Sequence, residues 1–253
     1  MSFITFGALF DGYHFGYIII SLLVTTSLLY LGHRYIKQQK YKDIYLKFWA
    51  IATVFLHISP LWVDFLSGRQ PIAADNVLFP IYFCNMSMYF LMIVSLWGNK
   101  STKTFGYLAT MAAYSGILGA LISLFYPEYY IHGTSLFEWG VFKSMLSHST
   151  MLIGSLYLFI GGYVKIERKN TIVFFIGLLF VGLIGLIVNG VFALAGLNPP
   201  NAMYLQHPPI MEVPFLNVYV IAGMMLVVVF SFSSLVEYMS KKNIAFKKPI
   251  TAS

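Results

Sequence analysis

Charge is what this sequence has least of. Only 10% of its 253 residues are charged while 58% are hydrophobic, whereas a soluble domain carries about 25% charged residues. Mean hydropathy is +0.76, and no polar stretch is long enough to fold as a separate soluble unit. Residues 1–253 therefore read as one integral membrane domain. Cysteine is nearly absent as well. With Cys84 as the sole thiol, an intramolecular disulfide and any CxxC metal or redox motif are excluded. No glycine-rich phosphate loop is present, so no soluble nucleotide cofactor is implied. No cleavable leader is expected, because Asp11 and His14 interrupt the first apolar run and no basic segment precedes it.

What is present is a set of apolar runs of about 20 residues, the length a helix needs to cross roughly 30 Å of hydrocarbon. Seven are expected, at about 14–36, 44–66, 78–97, 104–125, 142–163, 171–194 and 214–239. The fold class is thus all-α, a polytopic seven-helix transmembrane bundle, since only helices satisfy their own backbone in lipid in such a sequence. The basic residues orient it. Arg34, Lys37, Lys40, Lys42, Lys47, Lys100, Lys103, Lys165, Arg168, Lys169, Lys241, Lys242, Lys247 and Lys248 flank alternate connections, leaving Arg69 and Lys143 on the other side. The excess of Lys and Arg in cytoplasmic links puts the N-terminus outside and the C-terminus in the cytoplasm. The net charge of +7 is then a topology signal and not a nucleic-acid footprint; at most it meets anionic lipid head groups.

The outer connections are longer and differ in chemistry, with Asp75, Glu128, His132, Glu138, His207 and Glu212 and several prolines. The segment GLNPPNAMYLQHPPIMEVP, 196–214, is too rich in proline for a regular helix. It suits either a lid over an outward pocket or a rigid structural loop.

Polar residues inside spans are costly and mark the bundle interior. Counting from the outer ends, Cys84 and His148 each lie roughly 9 Å deep, Asn189 roughly 8 Å and His57 roughly 13 Å. Asp64 and Trp62 sit near the interface above His57, Asn85 and Ser87 neighbour the cysteine, Ser144 lies one turn above His148, and Asn217 begins the last span. The inner halves of the spans are nearly free of such groups. This asymmetry predicts a polar cavity open to the outer leaflet, because a channel would need polar residues along its whole depth.

Two chemistries compete for these residues. An imidazole beside a thiol takes its proton, and the thiolate attacks an ester carbonyl to give a thioester; a carboxylate such as Asp64 would orient the imidazole. The bland alternatives stand beside it. On spacing alone Cys84 reads first as a small packing residue; His57 and Asn189 read as hydrogen-bonding links between helices, and Asp64 as an interface anchor. The stretches AAYSGILGA (112–120) and GLIG (182–185) supply small residues for close helix packing. The second chemistry is metal-based. Ser144-x-x-x-His148 is similar to the Ser-x3-His element of seven-helix zinc hydrolases, but the last span has no histidine, so no metal site is assigned.

Four motifs in order carry a family resemblance: LFPIYFC (78–84), GILGALISLFYP (116–127), FKSMLSHST (142–150) and NAMYLQHPP (201–209). Together the chain resembles bacterial integral membrane proteins of the YwaF type, which share ancestry with animal transmembrane protein 164. The resemblance implies a membrane-embedded acyltransferase that moves fatty acyl chains between glycerophospholipids through a cysteine and a histidine, here Cys84 and His148. The chain departs from it at Tyr82, where bacterial relatives commonly carry a histidine. The expected reading is a Cys84–His148 transacylase in the outer leaflet of a cell membrane, acting on membrane phospholipids or glycolipids. His57, Tyr82, Asn189, Tyr204 and Gln206 would contact substrate. The rival is a small-solute transporter or substrate-binding subunit with Trp62, Tyr82 and Trp139 as stacking partners; a receptor-like partner without chemistry is a third reading.

Overall fold

The structure, a computed structural model, describes residues 10–66, 68, 79–127, 137–211 and 213–246. Arg69, Asp75, Glu128, His132, Glu212, Lys247 and Lys248, all named above, lie outside the described residues. The helices are α1 Gly12–Tyr35, α2 Gln39–Ile58, α3 Pro60–Leu66, α4 Phe83–Leu96, α5 Lys103–Phe125, α6 Trp139–Ile160, α7 Asn170–Leu194 and α8 Val218–Phe246. A 3-10 turn, Ala202–Tyr204, lies between the last two. No strand occurs among the described residues.

Local chemistry accounts for the helix ends. The Asp11 carboxylate accepts from His14 N at 2.8 Å to start α1, and the Thr102 hydroxyl accepts from Phe105 N at 3.2 Å to start α5, each meeting a backbone donor the helix itself cannot satisfy. The expected span 44–66 is two helices. Pro60 has no N–H to give the Leu56 carbonyl, and the Ser59 hydroxyl donates to that carbonyl instead, at 2.8 Å. The expected span 78–97 begins late. Pro80 biases the preceding residue away from helix, Tyr82 is extended at φ −106°, ψ 154°, and α4 opens at Phe83.

Among the described residues, four helices are long and apolar enough to cross a membrane: α1, α5, α7 and α8 as far as Lys242. By length and composition α4 falls short, at 14 residues or about 21 Å. The long helices differ in burial. In α5, 61% of the most apolar window is buried, against 22% in α7 and 17% in α8, so α5 forms the centre and the other two present apolar side chains outward. Leu179, Leu183, Leu186 and Ile187 on α7, with Val227, Val228 and Phe230 on α8, are each about half exposed or more. Such a surface fits hydrocarbon and not water. This is a membrane protein.

Polar side chains tie the bundle together, as they do where no hydrophobic force pulls helices from lipid. Ser149 on α6 meets Ser21 at 2.8 Å and Tyr17 at 3.1 Å on α1. Thr53 of α2 donates to Thr150 of α6 at 3.0 Å, and the Tyr114 hydroxyl of α5 pairs with Ser233 of α8 at 2.8 Å. His14 is fully buried; its Nδ1 accepts from Phe10 N at 3.0 Å and its Nε2 donates to the Leu124 carbonyl at 2.9 Å. The sequence marks His14 only as an interruption of the first run, whereas it staples α1 to the end of α5.

Candidate functional site

A cavity of about 620 Å³ opens among α4, α5, α6, α7 and α8. The side formed by α2, α4 and α6 is polar, walled by His57, Cys84, Asn85, Lys143, Ser144 and His148. The side formed by α7 and α8 is apolar, an arm of the lining made by Leu178, Val181 and Gly182 of α7 and by Ile221, Ala222 and Met225 of α8. The sequence-based picture of a polar cavity thus needs correcting by half. The polar layer is real at the wall formed by α2, α4 and α6, but α7 and α8 face it with hydrocarbon.

Cys84 and His57 are delivered by a helix end and a helix break, and His148 by the middle of α6. Cys84 stands in the first turn of α4, where backbone N–H groups have no carbonyl inside the helix to meet and the helix dipole favours negative charge. Gly119 of α5 brings the two helices together. A Cβ there would lie 3.4 Å from the Cys84 Cα, which sets the thiol roughly 9 Å below the end of α5. The Sγ donates to Asn85 Oδ1 at 3.4 Å. His57 arrives at the last turn of α2 because Pro60 ends that helix. Its ring is edge-on to Tyr89 at 6.2 Å, and its carbonyl accepts from Lys143 Nζ at 3.3 Å. Lys143 is only 4% exposed.

His148 is 93% buried, being 7% exposed, and its Nδ1 lies 2.7 Å from the Ser144 carbonyl oxygen. A carbonyl only accepts, so Nδ1 carries the hydrogen in that bond, and in the neutral ring Nε2 is left with a lone pair. Nε2 is buried and meets no hydrogen-bond partner among the described residues. A histidine held through one nitrogen keeps on the other a lone pair that can accept a proton.

The segment after α7 covers the cavity with Met203, Tyr204, Pro209 and Ile210. Its backbone is left-handed at Asn201 (φ 51°), Met203 (φ 55°) and Tyr204 (φ 55°). Asn adopts that region readily, whereas Met and Tyr there cost about 1–3 kcal/mol each and persist only when the surroundings enforce them. The enforcement is visible. Asn189 of α7 accepts from Ala202 N at 2.8 Å and donates to Ala202 O at 3.3 Å. The Ile81 carbonyl accepts from Met203 N at 2.7 Å. The Asn201 carboxamide oxygen accepts from Gln206 N and His207 N, each at 3.0 Å, and Tyr204 packs on Tyr82 with ring centroids 5.4 Å apart.

Replacing Asn189 with Ala is expected to leave the Ala202 N–H and carbonyl buried and unpaired, at a cost of about 1–3 kcal/mol. The melting temperature should fall and limited proteolysis within 201–210 should accelerate. Unchanged proteolysis would mean that Asn189 does not hold the cover.

Of the residues expected at the site, Cys84, His148, His57, Tyr82 and Tyr204 border the cavity. Asn189 does not; both ends of its side chain are taken by Ala202. Gln206 is exposed and contributes its backbone N–H to the Asn201 turn. Asp64 falls within α3, and its side chain lies outside the described residues. Sequence reasoning passed over Lys143 as a site residue, although a lysine inside an apolar run is itself a signal. The sequence marks Gly119 and Gly182 as packing residues only.

No curated protein and no solved structure shows detectable similarity to the chain. A family does: the sequence model of the TMEM164 family matches residues 9–236, nearly the whole of the described bundle, and the chain belongs to that family of membrane proteins.

Proposed function

We propose that this protein is a membrane-embedded acyltransferase that moves a fatty acyl chain from a phospholipid or glycolipid to a lyso-lipid acceptor through Cys84 and His148. The observation that carries the reading is the His148 Nε2 lone pair, buried and without a described partner, on the wall of the same cavity as the chain's only thiol. The apolar arm adds support, since it suits an acyl chain better than a polar solute and so weighs against the transporter reading.

In the first half-reaction Nε2 takes the Cys84 proton, and the thiolate adds to the ester carbonyl of the donor. The C–S bond forms, the ester C–O bond breaks, and His148 returns the proton to the departing alkoxide, which leaves as a lyso-lipid. The second half-reaction runs in reverse with the acceptor hydroxyl, restoring the thiol. His57 or Asp64 would orient the base, Tyr82 and Tyr204 would contact the substrate, and Asn189 and Gln206 would support the cover. No cofactor enters either step.

In the same proposal the chain crosses a cell membrane seven times, with α2 and α3 forming one broken crossing. The N-terminus is outside and the C-terminus cytoplasmic, so the cysteine end of the cavity faces the outer leaflet. Support comes from the one-sided distribution of Lys and Arg.

The test is intact-protein mass spectrometry after incubation with phospholipid vesicles. A mass increase of one acyl chain, removed by hydroxylamine and mapped to the Cys84 peptide, is the expected result. No adduct combined with no transfer to added lyso-lipid would remove the proposal.

A further inference from the structure

The two glycines of the GLIG stretch, one turn apart on α7, do different work. At Gly185 an added Cβ would fall 2.7 Å from Met203 Cγ and 2.8 Å from Leu205 Cδ1, so this glycine lets the cover pack against α7. At Gly182 an added Cβ would meet nothing within 4 Å, yet Gly182 borders the cavity. The missing side chain is therefore not required by any packed neighbour. It is open space at a cavity that Leu178 and Val181 of the same helix and Ile221, Ala222 and Met225 of α8 also line.

The position of that space gives it a use. Cys84, at the start of α4, is level with Gly119 near the end of α5. Gly182 lies near the middle of α7, one turn or roughly 5 Å from Gly185, where the cover packs, and Leu178 lies roughly 6 Å farther along the same helix. The α7 wall of the arm thus runs from the cover past Gly182 to Leu178, through the middle of that helix. A ligand that fills the arm has a polar, reacting group at Cys84 and a slender apolar tail passing Gly182.

We propose that the α7–α8 arm holds one linear acyl chain and that Gly182 sets the length it admits. The inference rests on the reading of the cavity as a lipid site, but it concerns binding and does not require transfer to occur. A side chain at 182 projects into the arm and shortens it, so longer tails lose burial while shorter ones do not.

The experiment presents the purified full-length protein, in mild detergent, with an equimolar mixture of dodecanoyl, myristoyl, palmitoyl and stearoyl lysophosphatidylcholines. Native mass spectrometry reads which ones are retained. Gly182→Leu is expected to lower the palmitoyl-to-dodecanoyl ratio about tenfold, the factor for losing burial of roughly two methylenes. Gly182→Ala should move the ratio the same way by less, and it serves if the leucine variant does not fold. Gly190→Leu is the control: its Cβ also meets nothing within 4 Å, but Gly190 does not border the cavity, and the ratio should stay at the wild-type value. An unchanged ratio in both Gly182 variants, or an equal change in the Gly190 variant, overturns the proposal. If the ratio shifts as expected while no thioester or transfer is found, the acyl arm stands and the transferase reading falls. If transfer occurs but chain preference ignores residue 182, the reverse holds.

Discussion

Cys84→Ser and His148→Asn are each expected to cut acyl transfer between vesicle phospholipid and a lyso-lipid by a factor of about 10²–10⁴, the range for losing an activated nucleophile or its base. The two variants fail for different reasons. Serine keeps the size and polarity of the side chain, but its hydroxyl is far more basic than a thiol and yields little anion to attack with. Asparagine keeps a donor near the Ser144 carbonyl, which His148 Nδ1 now contacts at 2.7 Å, and removes the Nε2 lone pair that faces no described partner. Because thiol and imidazole act as one unit, the double variant should be no slower than the slower single one. Each variant should melt within a few degrees of the wild type, since serine is close to cysteine in size and can still donate to Asn85, and the Nδ1 link is retained. Transfer that survives either substitution would return Cys84 to the role of packing residue, and losses that multiply in the double variant would mean the two side chains act independently.

How much of this was legible in the sequence depends on what kind of information each feature needs. The limits of α5 and α7 were readable to within a residue, because a capping threonine or a basic link stands where each apolar run begins. The break between α2 and α3 was also written in the chain, as Ser59-Pro60, but the hydrophobicity of the run hid it. That break decides where His57 stops and so belongs to the site as well as the fold. The convergence of His57, Cys84 and His148 on one cavity was not readable, since it depends on helix rotation and on the close approach at Gly119. Nor was the cover. Left-handed backbone at Met203 and Tyr204 has no signature in residues that rarely adopt it; the strain is enforced by Asn189, which is distant in sequence. The sequence did offer Asn189 as a hydrogen-bonding link, and its bonds to the Ala202 backbone are of that kind. Small residues were legible as a class but not by role: Gly116 and Gly185 sit against neighbours, whereas Gly182 sits against empty space.

Gly116→Ala is expected to be among the most destabilising single changes, and Ser155→Gly is expected to rescue it. A Cβ at Gly116 would overlap the Ser155 hydroxyl and come within 2.9 Å of the Ser155 Cβ. Both residues lie where α5 crosses α6, among Ala112, Ala113, Ala120 and Met151, which are completely buried. Neither helix can step aside without opening contacts on its far face, as α6 also packs on α1 and α2 and α5 on α4. Overpacking a close-packed interior costs about 1–3 kcal/mol, and a rigid crossing belongs at the upper end. Ser155 itself contributes little that would be missed. Its hydroxyl is fully buried and meets no hydrogen-bond partner among the described residues, so removing it relieves an unsatisfied polar group while losing a small amount of packing. Thermal melting of the four proteins in one detergent closes the double-mutant cycle. The Gly116→Ala loss should shrink by more than half when Ser155 is Gly, and transfer should recover with it, because the same crossing holds Gly119 against Cys84. Additive losses would show that the strain at Gly116 is absorbed by helix displacement and not by Ser155.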